Sequence, residues 1–331
     1  MIAYISNIMK YRRLPGRGGD AGPACGASRL SALLAGFLLL AGPAPAVAAT
    51  VGVSLVPPIA FFKFLSDAIS DHARSLGDVT VDIEHANDAA TQIDQVKSFI
   101  DAHVDAIVLL PVDASVTDRI TAMAQNAHVP LVYVNNGPRQ DWFAGKIALA
   151  LPNDLIAGRV QMDKIVQMMG EKGQVVIIRG PSTHSAAALR TQGVREVLAL
   201  HPGITVVEEE AADWDRHRAQ DLVTGWLAKG DRINAILANN DEMALGAIAA
   251  LNAAKIPPGQ ILVAGVDGTP DGLAAIQAGN MAVTLFQDPV LEGSRALDDA
   301  LSLARSKAVQ QYDWVAFQLV TSKTVQHFVS K

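Results

Sequence analysis

Residues 235–272, AILANNDEMALGAIAALNAAKIPPGQILVAGVDGTPDG, constrain the fold more than any other stretch. Two short apolar runs, 235–238 and 261–266, flank a segment of helical length. Unbroken runs of this size suit parallel strands buried on both faces. Each run ends in a polar cluster, Asn239-Asn240-Asp241 and then Asp267-Gly268-Thr269. In a parallel α/β sheet, ligands sit beyond the carboxyl ends of strands. One strand-helix-strand unit therefore sets Asn240 and Asp267 side by side at the edge of a cleft. The same residues also suit turns and helix caps, and the sequence leaves both readings open.

The alternation holds along the chain. Strands are expected at 50–56, 79–84, 106–110 and 131–134, with helices at 60–76, 91–100 and 116–127 between them. Leu151-Pro152-Asn153-Asp154 interrupts the rhythm. It resumes with helices at 155–169, 186–200 and 216–228 and strands at 175–178 and 204–208. After the polar clusters come a helix at 270–278, a strand at 282–286, a long helix at 290–304 and a last strand at 314–320. Strands separated by helices predict an α/β fold with two doubly wound parallel-sheet halves and a boundary near Pro152. A chain of 331 residues that is 50% apolar can bury two such cores.

The first 49 residues read differently. Lys10, Arg12, Arg13, Arg17 and Arg29 precede the apolar run 30–41, and small residues follow up to Ala48-Ala49. That is the order of a cleaved secretory signal peptide, 1–49, with Met9 as a second candidate start. The apolar run is too short to span a bilayer, and Arg12-Arg13 lacks the context of a twin-arginine signal. Cys25, the one cysteine, lies in this segment, so the mature chain has none. Removing 1–49 takes away five of 27 basic residues and one of 33 acidic residues, leaving 22 against 32. A balance that acidic argues against a nucleic-acid partner, which needs a basic footprint.

Three motifs carry a family likeness: N-N-D-E-M-A-L-G-A at 239–247, V-A-G-V-D-G-T-P-D-G at 263–272 and A-D-W-D-R at 212–216. Together they resemble the ribose-binding branch of the periplasmic sugar-binding proteins of ABC transporters, over essentially the whole mature chain. The resemblance implies a periplasmic-binding-protein-like type I fold, with two lobes joined by a three-segment hinge. The crossings fall near Pro152, Gln287-Asp288 and Ala316-Phe317. The N-terminal lobe is then 50–152 plus 288–316, and the C-terminal lobe 153–287 plus 317–331. It also implies a periplasmic monomer that carries a sugar or polyol, as a pentose, hexose or inositol, to a membrane permease.

A sugar offers C–H faces to aromatic rings and hydroxyls to paired donors and acceptors. The resemblance makes Phe61 and Phe62 one aromatic wall and Trp214 the other. Both sites also suit core or staple roles. Arg190 matches the family's arginine three before a glycine, here Gly193, and its fork can serve two hydroxyls. A salt bridge is its alternative role. Asn240, Asp267 and Gln287 match the family's amide and carboxylate ligands. Asn135 and Asn136 stand where ribose-type members have an acidic residue or asparagine followed by arginine, so the pocket loses a cation; a plain Asn-Asn-Gly-Pro turn is the other reading. Ile59 stands where those members often have asparagine. Asp241 and Glu242 are expected to cap and charge the helix that follows. Arg190 and Asp267 are expected to balance each other, leaving a near-neutral surface for a neutral ligand.

Other classes fit poorly. Ser182, His184 and Ser185 lack a nucleophile-elbow context, and the eight histidines show no metal-ligand spacing and read as helix-surface or turn residues. No enzyme activity, cofactor or metal is expected. A sugar-responsive repressor of the LacI type needs a helix-turn-helix head, and 1–49 lacks its two amphipathic helices. A sensor that presents bound sugar to a membrane receptor is a second role for the same architecture.

Overall fold

The computed structural model describes residues 48–58, 61–138, 140 and 142–329. Residues 1–47 of the expected signal peptide, with Cys25, and Ile59 lie outside the described residues, and Ala49 opens the first strand.

The first half alternates strand and helix: β1 (Ala49–Leu55), α1 (Phe61–Leu76), β2 (Val79–His85), α2 (Ala89–Asp101), β3 (Ala106–Leu109), α3 (Thr117–Ala127), β4 (Leu131–Val134) and β5 (Ile147–Pro152). The second continues with α4 (Asp154–Met169), β6 (Gly173–Arg179), α5 (Ser185–Leu198), β7 (Ile204–Ala211), α6 (Arg216–Lys229), β8 (Ala235–Ala238), α7 (Asp241–Ala253), β9 (Leu262–Ala264), α8 (Pro270–Gln277) and β10 (Thr284–Phe286). Then α9 (Pro289–Ala304), β11 (Tyr312–Val315) and β12 (Gln318–Val320) follow.

One parallel sheet has the order β2-β1-β3-β4-β5-β11. The other runs β7-β6-β8-β9, and isolated bridges from Ala264 to Val283 and from Asp267 to Phe286 extend it to β10, which pairs antiparallel with β12. The chain thus passes between sheets three times: after Pro152, between β10 and α9, and between β11 and β12.

Runs such as β3, β4 and β8 are buried at every residue because helices cover both faces. Each half has a helix core on either side of its sheet. Buried glutamines satisfy the backbone where strands end. Gln92 Nε2 donates to the Leu110 carbonyl at 2.9 Å, and Gln161 Nε2 donates to those of Ala238 and Gly265 at 2.9 and 3.0 Å.

Two expectations need correction. Residues 147–152 form a strand that the sequence reading did not expect, and it runs into the interruption read at 151–154. Their run, Ile-Ala-Leu-Ala-Leu-Pro, is all buried, and Pro152 ends it at the crossing, where its missing N–H costs no ladder bond. The expected final strand 314–320 is two strands in different sheets, broken at Ala316-Phe317. Its apolar pattern reads continuously because both pieces are half-buried edges.

Candidate ligand-binding site

Strand carboxyl ends deliver nearly every candidate residue. Phe61 and Phe62 open α1 beyond β1, Asn135 follows β4, Trp214 follows β7, Asn240 follows β8, Asp267 follows β9 and Gln287 follows β10. Arg190 reaches the same place from α5. These eight residues line one cavity of about 280 Å³, bordered by both sheets.

The aromatic walls are set by local geometry. Phe61 is buried in the first core and Phe62 packs against it; their rings meet edge to face at 6.1 Å and 79°. Asp213 and Trp214 both hold positive φ, 53° and 65°, which is costly for a side chain as large as indole. The turn swings the indole across Gly180, where a Cβ would lie 2.4 Å from it. The His184 ring meets the indole edge to face at 5.4 Å. Trp214 therefore lines the cavity while also packing on the core beneath.

Arg190 is held from every side. Its Nε donates to Asp154 at 2.8 Å, Nη1 to the Asn239 carbonyl at 2.7 Å and to Asp267 at 3.3 Å, and Nη2 to Gln287 Oε1 at 3.2 Å. The Phe317 ring lies 5.5 Å from the guanidinium carbon. The salt-bridge and ligand roles thus coexist, and the closest carboxylate is Asp154 rather than Asp267. Close packing of α4 on α5 makes this possible: Gly193 sits where a Cβ would be 2.3 Å from the Leu155 carbonyl, and Gly158 where one would be 2.0 Å from the Arg190 carbonyl.

The amides divide their atoms. Asn240 Oδ1 caps α7 by accepting from Met243 N at 3.0 Å, which leaves its NH₂ as what it can offer the cavity. The cap expected of Asp241 therefore belongs to Asn240. Asp241 is fully buried and accepts from Thr269 N at 2.8 Å and Thr284 Oγ1 at 2.6 Å, tying α7 to the start of α8. Glu242 lines the cavity rim in a two-pronged pair with Arg216, both contacts 2.9 Å. Asn135, at φ 63°, donates to Glu292 Oε2 at 3.1 Å.

Asn136 is the exception. It borders a second cavity of about 440 Å³ beside Pro152, Asn153, Tyr312 and Trp314. Its Oδ1 accepts from Ser185 Oγ and from Gly137 N, so it spans the two halves and closes its own turn.

Three participants escaped the sequence reading. Asp154 was hidden in the interruption at the boundary. His184, expected at a surface or turn, lines the cavity, and burial followed by the nearby Arg190 charge pushes its pKa down to about 4. Glu292 has no exposed surface, and its Oε1 accepts from Gln287 Nε2 at 2.7 Å. Burial pushes its pKa up to about 8 against the pull of the Asn135 and Gln287 hydrogen bonds. Its signal was legible: it shares a helix row with Ala296 and Ala300, an apolar stripe where a carboxylate is costly.

The expected pair of Arg190 with Asp267 forms, at 3.3 Å. Asp154, Asp267 and Glu292 are buried near Arg190, and Asp241 is buried between α7 and α8; burial raises the pKa of each. Asp154 meets Arg190 from 36 residues away and Glu292 meets Asn135 from 157, pairings that sequence spacing does not show.

Residues 53–308 match the model of the periplasmic binding protein domain. The chain belongs to this family. The periplasmic binding protein is 39% identical over 289 residues to the "Putative rhizopine-binding protein" of Rhizobium meliloti, covering 86% of this chain and 94% of that one. It is 31% identical over 261 residues to the xylitol-binding protein of Mycolicibacterium smegmatis, covering 78% and 73%. An ABC transporter solute-binding protein from Bacillus halodurans, solved with bound myo-inositol, superposes with a TM-score of 0.81 at 31% identity, covering 86% of this chain and 98% of that one. The type I fold, two parallel-sheet lobes joined by three crossings, is that of the family.

Proposed function

We propose that this periplasmic binding protein is the extracytoplasmic solute-binding subunit of an ABC transporter. It takes a monosaccharide or sugar-like polyol between its lobes and delivers it to a membrane permease. The observation that carries this is the cavity itself. Phe61, Phe62 and Trp214 provide apolar faces for C–H bonds, and Arg190, Asn240, Asp267 and Gln287 provide hydrogen-bonding groups within the same 280 Å³. That volume suits one sugar ring. The relatives named for rhizopine and xylitol and the neighbour holding myo-inositol agree with a small polyhydroxylated ligand.

The lobes of the working protein are 50–152 plus 288–316 and 153–287 plus 317–331, and 1–49 is a secretory signal removed on export. The three crossings act as the hinge. Ligand hydrogen bonds to both lobes form together only when the cleft is closed, so ligand shifts the population toward the closed form. The protein works as a monomer and does no bond chemistry on its cargo. Among the described residues no group of three His, Cys, Asp or Glu side chains is placed to hold a metal ion.

A thermal-shift screen over pentoses, hexoses, inositols and linear polyols tests this reading. A binder at 100 times its Kd raises stability by about 2.7 kcal/mol, which reads as several degrees. A panel with no shift at millimolar concentration rules out the polyol assignment.

A further inference from the structure

Glu292 lies behind the cavity wall and does not line it, yet both of its oxygens accept from amides that do. Gln287 Nε2 donates to Oε1 at 2.7 Å, and Asn135 Nδ2 donates to Oε2 at 3.1 Å. Asn135 follows β4 in the first sheet, and Gln287 follows β10 beside the second. One buried carboxyl thus holds a wall residue from each half.

The two amides differ in how they are fixed. A guanidinium only donates, so Gln287 must turn its Oε1 to Arg190 Nη2, at 3.2 Å, and its NH₂ to Glu292. The Asn135 side chain has no second protein partner among the described residues, so Glu292 alone decides which way it faces. An ionised Glu292 accepts at both oxygens, draws in the Asn135 NH₂ and leaves Oδ1 for the cavity. A protonated Glu292 has one oxygen that donates. Its Oε1 is committed to Gln287 as an acceptor, so the proton sits on Oε2 and points at Asn135. Two donors facing each other leave a buried group unpaired, and the amide turns over to avoid it. Oδ1 then accepts from Glu292, and the NH₂ faces the cavity. The turn is a half rotation about a soft terminal torsion and needs no backbone movement.

Both forms of Glu292 lie within reach of neutral pH. Burial pushes its pKa up to about 8; the hydrogen bonds from Asn135 and Gln287 oppose this, the Asp154 charge adds to it and the Arg190 charge opposes it. The other charged groups around α9 have partners of their own. Strands β1, β3 and β5 carry no titratable side chain, Tyr133 of β4 bonds to Thr121 and the Thr117 carbonyl, and Tyr312 of β11 donates to the Gln140 carbonyl. On α1, Lys63 pairs with Asp67, Asp71 with Arg74, and His72 with Asp298 of α9. Asp313 of β11 pairs with Arg295, Asp288 caps α9, and Asp299 lies further along that helix.

We propose that Glu292 is a positioning residue for ligand recognition: by holding or releasing one proton it sets whether Asn135 offers the cavity its NH₂ or its carbonyl oxygen. This rests on the reading of the cavity as a polyol site and assigns the polarity of one of its walls. A hydroxyl both donates and accepts, so it meets either face by turning its own hydrogen. A ring or keto oxygen only accepts, so position 135 holds it only while Glu292 is protonated.

The ligand-free protein gives the first readout. With asparagine labelled by ¹⁵N, the side-chain NH₂ signals of Asn135, assigned by their loss in Asn135→Ser, are followed from pH 6 to 9.5. They are expected to move with a midpoint near 8. In Glu292→Gln they should stay still, because the glutamine NH₂ donates to Asn135 at every pH. Unchanged signals in the wild type, or equal movement in Glu292→Gln, overturn the proposal. Calorimetric titration with myo-inositol gives the second readout. Glu292→Gln should match the wild type within about twofold at pH 6 and differ from it by at least about threefold at pH 9.5, the scale of one exchanged hydrogen bond. The comparison at each pH cancels titrations common to both proteins. An equal loss at both pH values marks a merely structural residue and overturns the proposal. No binding of myo-inositol by either protein counts against the polyol reading, and the ligand-free signals then decide the role of Glu292 by themselves.

Discussion

At the residue scale, Asp267 joins the two tasks of the site. It accepts from Arg190 and lines the cavity, at φ 114° in the loop between β9 and α8. Asp267→Ala should abolish ligand binding while leaving the fold intact, because Arg190 keeps Asp154, the Asn239 carbonyl and Gln287. Charge-assisted hydrogen bonds contribute about 1.5–3 kcal/mol each, so loss of two of them lowers affinity roughly 100-fold or more. Titration calorimetry beside circular dichroism separates the two effects, and undiminished affinity in a folded variant removes Asp267 from the site. Asn136 differs from the other candidates in kind. Its contact with Ser185 links the halves directly.

At the element scale, the α4–α5 contact positions Arg190. A methyl group at Gly193 would meet the Leu155 carbonyl at 2.3 Å and the Arg159 nitrogen at 2.8 Å, both rigid backbone. Gly193→Ala should therefore push α5 outward, destabilise the protein by about 1–3 kcal/mol and weaken ligand binding as well. Gly225, in α6, has no atom near its missing Cβ. Gly225→Ala should stabilise by about 0.5–1 kcal/mol with unchanged affinity. Thermal melts and titrations of the two variants give the comparison, and equal behaviour of both denies the close contact any role. The arginine-glycine spacing thus has a mechanical cause. The glycine brings two helices together, and the arginine one turn earlier reaches the strand ends.

At the scale of the whole molecule, the buried acid cluster makes stability depend on pH. Glu292 has a folded pKa of about 8, above its ordinary 4.5, because burial disfavours the carboxylate. Below about 4.5 it is protonated in both states and carries no penalty. Between 4.5 and 8 the unfolded chain releases the proton while the folded chain keeps it, so stability falls as pH rises. Above 8 the penalty is complete. Burial raises Asp241 and Asp267 too, with the same sign. His184 has the opposite slope: neutral in the fold with a pKa near 4, it loses stability only as pH drops below its ordinary 6.5. Between pH 6.5 and 8, the ligand-free protein should therefore lose stability on the order of 2 kcal/mol from Glu292 alone. Glu292→Gln should flatten that decline in thermal melts. An equal slope in wild type and variant shows that Glu292 does not titrate in this range.

Local pattern determined much of this protein. Short apolar runs ended by polar clusters fix the parallel α/β class, because both faces of each strand are covered wherever its sequence is apolar throughout. The same pattern marks strand carboxyl ends, and so Phe61, Phe62, Asn135, Trp214, Asn240, Asp267 and Gln287 were legible as a group. Tertiary structure alone decided what lies within reach of what. Asp154 is 36 residues from Arg190, and Glu292 is 157 from Asn135. Their pairing depends on how three crossings fold one half back on the other, which periodicity does not encode. Charge balance follows the same logic. A sequence counts ionisable residues, but only the folded arrangement separates those that stay in water from the few enclosed together around one arginine.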